Sequence, residues 1–343
     1  MTAACSAANG ASPPPASPEA THPIATTTSS TSTTTTTTVA PTTTTSSLPP
    51  IGIPAVPYRV GAHTYEWIDD SRPTPANNGY RAKSYRELLT TIWYPAEGTP
   101  STYVHHGATA DHAAAPFPII LFAHGHGGEP ADYLAEIMSW TSRGYVVVAP
   151  EFPLSNGDAR GGPSYADVAE QPGDLSFVLS RVIGLDTQPG SWMYQLVDAR
   201  RVAAIGHSEG AWTVLALAGN SCCRDRRVTA AIVLAGEMAV GFPRPFYKNG
   251  APPLLFVHAR DDDVVPYAND RNAYAHAPTP KYFLTLPKGG HVAPYEAAGT
   301  RANTAVLTVT NAFLDRYLKN LVAVTIASPD RTVATLFDQL PRP

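Results

Sequence analysis

An α/β fold with a mostly parallel central sheet and helices on both faces is predicted by two features of this sequence. Short uninterrupted apolar runs alternate with stretches of helical spacing, and a run without polar alternation fits a strand buried on both faces. One such run, residues 202–205, leads straight into Gly206, His207, Ser208, Glu209 and Gly210, and then into the helix-forming residues 211–218. Strand, tight turn and helix in that order form the repeating unit of a parallel sheet.

Taken from the amino terminus, residues 1–50 are nearly all Ala, Ser, Thr and Pro and include an unbroken threonine run, 33–38. Such a segment has too few large apolar groups to offset the entropy of ordering, so an extended, disordered tail is expected. Its start, Thr2-Ala3-Ala4-Cys5-Ser6, resembles a bacterial lipobox, although Thr2 stands where Leu is commonest. That resemblance implies lipidation at Cys5, a stalk-like tail, and a secreted or surface-anchored protein whose only membrane contact is the anchor.

The folded domain is expected over residues 51–320. Residues 58–68 and 87–94 read as two strands separated by a turn-rich segment. Residues 118–124 are a buried strand. Residues 131–143 have helical periodicity and stop at Gly144. Residues 145–149 are the next strand, 174–183 a helix, and 202–205 the strand before Ser208. Three more strands follow at 229–235, 253–258 and 281–286, and a long helix at 301–319 closes the domain. Residues 321–343 are left without an assignment. The short connection between the strands at 229–235 and 253–258 leaves no room for a large cap, so loops alone are expected to roof the site.

Composition narrows the function. The chain has 343 residues, 43% of them hydrophobic and 15% charged, with a net charge of −4. No apolar run approaches the ~18 residues of a membrane span. No basic run is present, which argues against nucleic acid as a partner. Cys5, Cys222 and Cys223 lack the spacing of a structural zinc site. The Cys222–Cys223 pair reads either as two small residues after a helix or as a vicinal disulfide of an oxidising compartment. Neither a metal nor a cofactor is expected, and a monomer is.

Ser208 sits where a strand turns sharply into a helix, a position that exposes a nucleophile at a sheet edge. A serine nucleophile needs a base, and the base needs an orienting acid. Downstream, Asp261, Asp262 and Asp263 fall in the loop after the strand at 253–258. His291 follows a Gly-Gly turn after the strand at 281–286. Backbone N–H groups for an oxyanion would come from Glu209, next to the nucleophile, and from His126, in the loop His124-Gly125-His126-Gly127-Gly128. Glu209 is unusual there, because it sets a carboxylate beside a site that must stabilise negative charge. His124 and His126 read otherwise as surface histidines, and His105, His106 and His112 as a solvated cluster. Phe242, Phe246 and Tyr247 are candidates for an acyl-binding wall. Trp212, on the helix after Ser208, reads as core or as acyl surface.

Between residues 58 and 319 these motifs together resemble the α/β-hydrolase fold. Within it the chain is similar to the branch of platelet-activating-factor acetylhydrolases, dienelactone hydrolases, chlorophyllases and cutinase-like polyesterases. The resemblance rests on residues 124–128, on residues 206–210, on Asp262 with Val265 and Pro266 at the D-x-x-V-P spacing, and on His291. It favours Asp262 over its two neighbours and implies hydrolysis of a small or polymeric carboxylic ester without a cofactor. An acyltransferase or peptidase on the same fold, or a non-catalytic cell-surface binding protein, are the rival readings.

Overall fold

The apolar runs become strands because their side chains are buried on both sides. The computed structural model describes residues 48–238, 241–242 and 245–340. It contains β1 (Arg59–Asp69), β2 (Arg86–Ala96), β3 (Val104–His106), β4 (Phe117–Ala123), β5 (Val146–Pro150), β6 (Val197–His207), β7 (Val228–Leu234), β8 (Leu254–Ala259), β9 (Lys281–Leu286) and β10 (Thr335–Gln339). They form one sheet in the order β10-β9-β8-β7-β6-β4-β5-β2-β1-β3. The strands from β5 through β4, β6, β7 and β8 to β9 run parallel. β2 is antiparallel to both β5 and β1, and β10 is antiparallel to β9.

Side chains along a strand alternate between faces, and the two cores divide accordingly. Ile119, Leu121 and Ala123 of β4 join one core with residues of α2 (Gln171–Thr187), α3 (Glu209–Gly219) and α4 (Tyr267–His276). Ile120 and Phe122 join the other, with residues of α1 (Leu134–Ser142), α5 (Ala293–Glu296) and α6 (Arg301–Tyr317). α6 is capped by Thr300, whose hydroxyl accepts the Asn303 N–H.

Several bounds differ from the sequence expectation. The helix expected at 131–143 begins as a 3-10 turn, Pro130–Tyr133, before α1. β6 starts at Val197, ahead of its apolar run, because Phe117 and Pro118 extend the pairing past a register shift. Residues 321–343, unassigned from sequence, contribute β10. The expectations for the tail up to residue 47 and for Cys5 lie outside the described residues, whereas the Leu48 and Pro49 carbonyls are bonded by Asn320 and Arg201 of the domain. Cys222 and Cys223 are joined as a vicinal disulfide just after α3.

A buried ion cluster fixes the long loop between β5 and α2. Arg86 of β2 bonds both oxygens of Asp167 at 2.9 Å and both oxygens of Asp174 at 2.6–2.7 Å. Arg72 adds a third guanidinium contact to Asp174, at 2.7 Å, and grips Asp69. Buried charges are tolerated when they are paired and multiply hydrogen-bonded in this way. Asp167 also accepts the Leu154 N–H, which carries the restraint into the loop.

Candidate active site

The site lies at the carboxyl ends of the parallel strands, where loops after β4, β6, β8 and β9 converge. Ser208 follows β6 and caps α3 with φ 54° and ψ −120°. That is a strained conformation for a side-chain-bearing residue, and it is held by the tightness of the turn. A Cβ on Gly206 would lie 2.2 Å from the Gly210 carbonyl, and one on Gly210 would lie 2.2 Å from the Ala123 carbonyl. Both positions therefore admit only glycine. The Ser208 N–H is tied to the Leu234 carbonyl at 2.9 Å.

Ser208, His291 and Asp262 stand in hydrogen-bonded series. His291 Nδ1 is 2.7 Å from Asp262 Oδ2, and Nε2 is 2.8 Å from Ser208 Oγ. A carboxylate only accepts, so Nδ1–H donates to Asp262, leaving Nε2 to accept the Ser208 hydroxyl proton. Asp262 Oδ1 accepts the N–H groups of Val264 and Val265, each at 2.9 Å. Burial works to raise the Asp262 pKa, but the bonds from His291, Val265 and Val264 outweigh it and hold it below the usual carboxylate range. Asp261 instead accepts the Gly290 N–H at the surface, and Asp263 is exposed. Ser208 and His291 each retain about 9% exposure, enough to be reached from solvent.

Among the described residues the backbone N–H groups of His126 and Glu209 meet no acceptor. Their side chains bond each other: His126 Nδ1 is 2.7 Å from Glu209 Oε2. Glu209 Oε1 accepts from Ser155 Oγ at 2.9 Å and from Gln171 Nε2 at 3.0 Å. Burial raises the Glu209 pKa, and these donors offset part of that rise. The His126 ring stacks on Tyr165, centroids 3.8 Å apart and planes 6° apart, and Tyr165 stacks in turn on Trp212. Tyr165 is 53% exposed, and Val264 and Val292, which flank Asp262 and His291, are 60% and 43% exposed. The surface beside Asp262 and His291 is thus exposed and partly apolar.

Three buried histidines that the sequence did not single out as site residues support this arrangement. His207 Nε2 lies 2.8 Å from the His291 carbonyl, so it carries the proton; Nδ1 then accepts from the Tyr133 hydroxyl at 2.7 Å. Burial first, then the neighbouring His291, lowers its pKa to about 3, so it stays neutral. His258 Nε2 donates to the Val265 carbonyl at 2.9 Å and lies 3.1 Å from Asp262 Oδ2. Its Nδ1 faces Asp270 Oδ2 at 3.0 Å, so the two groups share one proton. Burial pushes Asp270 up to about 6. His124 is fully buried rather than a surface residue: Nδ1–H donates to the Gly125 carbonyl, and Nε2 accepts the Phe152 N–H. Burial lowers its pKa to about 4.

A model of the alpha/beta hydrolase family matches residues 120–342, well over half of the sequence. The chain belongs to the alpha/beta hydrolase family. Among solved structures it is similar in fold to the ferulic acid esterase from Streptomyces cinnamoneus, with a TM-score of 0.64 at 24% identity, covering 84% of this chain and 98% of that one. No curated protein matches the sequence.

In this alpha/beta hydrolase, Phe246 and Tyr247, two of the three aromatic residues expected as an acyl-binding wall, are tied to the carboxyl end of α3. Phe246 bridges to Asn220, and the Tyr247 N–H bonds the Gly219 carbonyl, at the end of α3 remote from Ser208. Phe242 is buried with Val168 and Ala216, and Trp212, Cys223 and Phe246 pack against that cluster. Trp212 links this cluster to Tyr165, on which the His126 ring stacks. His105 lies on edge strand β3, and His112 bonds the Trp192 carbonyl. Among the described residues no group of His, Cys, Asp or Glu is placed to hold a metal ion.

Proposed function

We propose that the protein is a serine hydrolase of carboxylic esters, within the branch that its sequence motifs resemble. Ser208 Oγ attacks the ester carbonyl while His291 Nε2 takes its proton. The negative oxygen is received by the N–H groups of His126 and Glu209 at the amino end of α3, where the helix dipole adds favourable potential. His291 then protonates the departing alcohol, and the acyl group remains on Ser208. Water, deprotonated by the same imidazole, releases the acid. Asp262 fixes the Nδ1–H tautomer throughout and stabilises the imidazolium.

The observation that carries this reading is the unbroken series from Asp262 through His291 to Ser208, with two unoccupied amide donors beside the serine. The esterase activity in the name of the similar solved structure supports an ester as the bond cleaved. The test is turnover of p-nitrophenyl esters of graded chain length. Ser208→Ala and His291→Ala should each lower kcat/KM roughly 10⁴-fold or more, and the double variant should be little worse than either. Wild-type turnover in Ser208→Ala would refute the assignment.

A further inference from the structure

A buried carboxylate next to an oxyanion site opposes the chemistry unless its charge is taken up elsewhere. Glu209 is fully buried, and both of its oxygens are turned toward donors. Oε2 faces His126 Nδ1, while Oε1 accepts from Ser155 and Gln171. The network closes on itself. Gln171 Nε2 also bonds Ser155 Oγ at 2.7 Å, and the Thr213 hydroxyl, one turn along α3, donates to Gln171 Oε1. The main chain repeats the connection, because the Gly127 N–H donates to the Ser155 carbonyl at 2.7 Å.

His126 and Glu209 are the two residues whose backbone N–H groups are assigned to the oxyanion. They arrive on separate elements, one in the loop after β4 and one at the start of α3. We propose that the Glu209–His126 bond is a clamp that fixes the spacing of the two oxyanion donors, and that Glu209, Ser155 and Gln171 are positioning residues for the transition state. This rests on the serine-esterase reading above. The bond joins the side chains of the same two residues whose main chains must act together, so it closes a small ring around the place of the developing charge. It also aims the carboxylate at Ser155, Gln171 and His126. Stacking of the His126 ring on Tyr165 restricts the remaining freedom of the clamp. Donors held in place before reaction need no reorganisation during it.

The test compares Glu209→Ala, Glu209→Gln, His126→Ala and the double alanine variant on a p-nitrophenyl ester. It also measures inhibition by a trifluoromethyl ketone, whose tetrahedral adduct places an oxyanion between the donors. Slack of about 1 Å costs on the order of 100-fold, so Glu209→Ala should lower kcat roughly 10- to 100-fold with KM within about threefold. Affinity for the ketone should fall by the same factor as kcat/KM. Glu209→Gln can donate to His126 Nδ1 while its carbonyl accepts from Ser155 and Gln171, so it should restore most of the lost rate. His126→Ala should match Glu209→Ala, and the double variant should be no worse than either. Unchanged kcat in an alanine variant, multiplicative losses in the double, or Gln performing no better than Ala would each overturn the clamp. His126→Ala alters a side chain that is 24% exposed and decides the matter even if Glu209→Ala fails to fold. A wild-type protein that turns over no ester and takes no fluorophosphonate on Ser208 would instead refute the esterase reading, and the clamp with it.

Discussion

Three consecutive acids, Asp261 to Asp263, have three different fates, set by where each side chain points. Only Asp262 meets His291, and it does so while accepting two backbone N–H groups from its own loop. Asp262→Asn should therefore lower kcat by about 10³- to 10⁴-fold, because an amide no longer enforces the His291 tautomer, whereas Asp261→Asn and Asp263→Asn should stay within about threefold of wild type. Steady-state kinetics on the three variants checks this. Ser208, His291 and the acid cluster were legible in the sequence because strand ends and tight turns confine such residues to one edge of a parallel sheet. His207 and His258 were not, because their roles come from contacts across the sheet: His207 to the His291 carbonyl, His258 to Asp270. The one available signal for His258 was its position four residues before Asp262 at a strand end.

The β-strands of the parallel core were readable from their apolar runs alone, since burial on both faces leaves no polar alternation. α4 and β10 were not. α4 buries only Asp270, Ala273 and Tyr274, so it carries little apolar periodicity, and β10 is an edge strand with four of its five residues exposed and the fifth, Leu336, partly so. At the helix scale, Glu136 of α1 is buried against α6, where the Asn303 amide donates to one oxygen and the other has no partner among the described residues. Burial raises its pKa from 4.5 to about 7. A raised carboxyl pKa favours folding below about pH 4.5, and that contribution is lost as pH rises through 7. At pH 8 the native state then carries a buried charge that costs up to about 3 kcal/mol relative to low pH. Glu136→Gln should consequently raise Tm at pH 8 and do so much less at pH 5. Thermal melts at both pH values check this, and an equal shift at the two would contradict it.

Across the whole molecule, the connection from β7 to β8, residues 235–253, contains neither a helix nor a long strand among its described residues, so no large cap stands over Ser208. Tyr165, Val264 and Val292 beside the triad and His126 are exposed. Short and medium acyl esters should accordingly be hydrolysed from solution, with no jump in rate as the substrate passes its critical micelle concentration. A rate series on either side of that concentration checks it, and sharp activation above it would mean that a segment covers the site. Whether Ser208 is the one activated serine is decided by reacting the intact protein with a fluorophosphonate and mapping the adduct by mass spectrometry. A single adduct on Ser208 is expected, abolished in Ser208→Ala and strongly slowed in His291→Ala. Labelling at another residue, or an adduct that persists in Ser208→Ala, would contradict it.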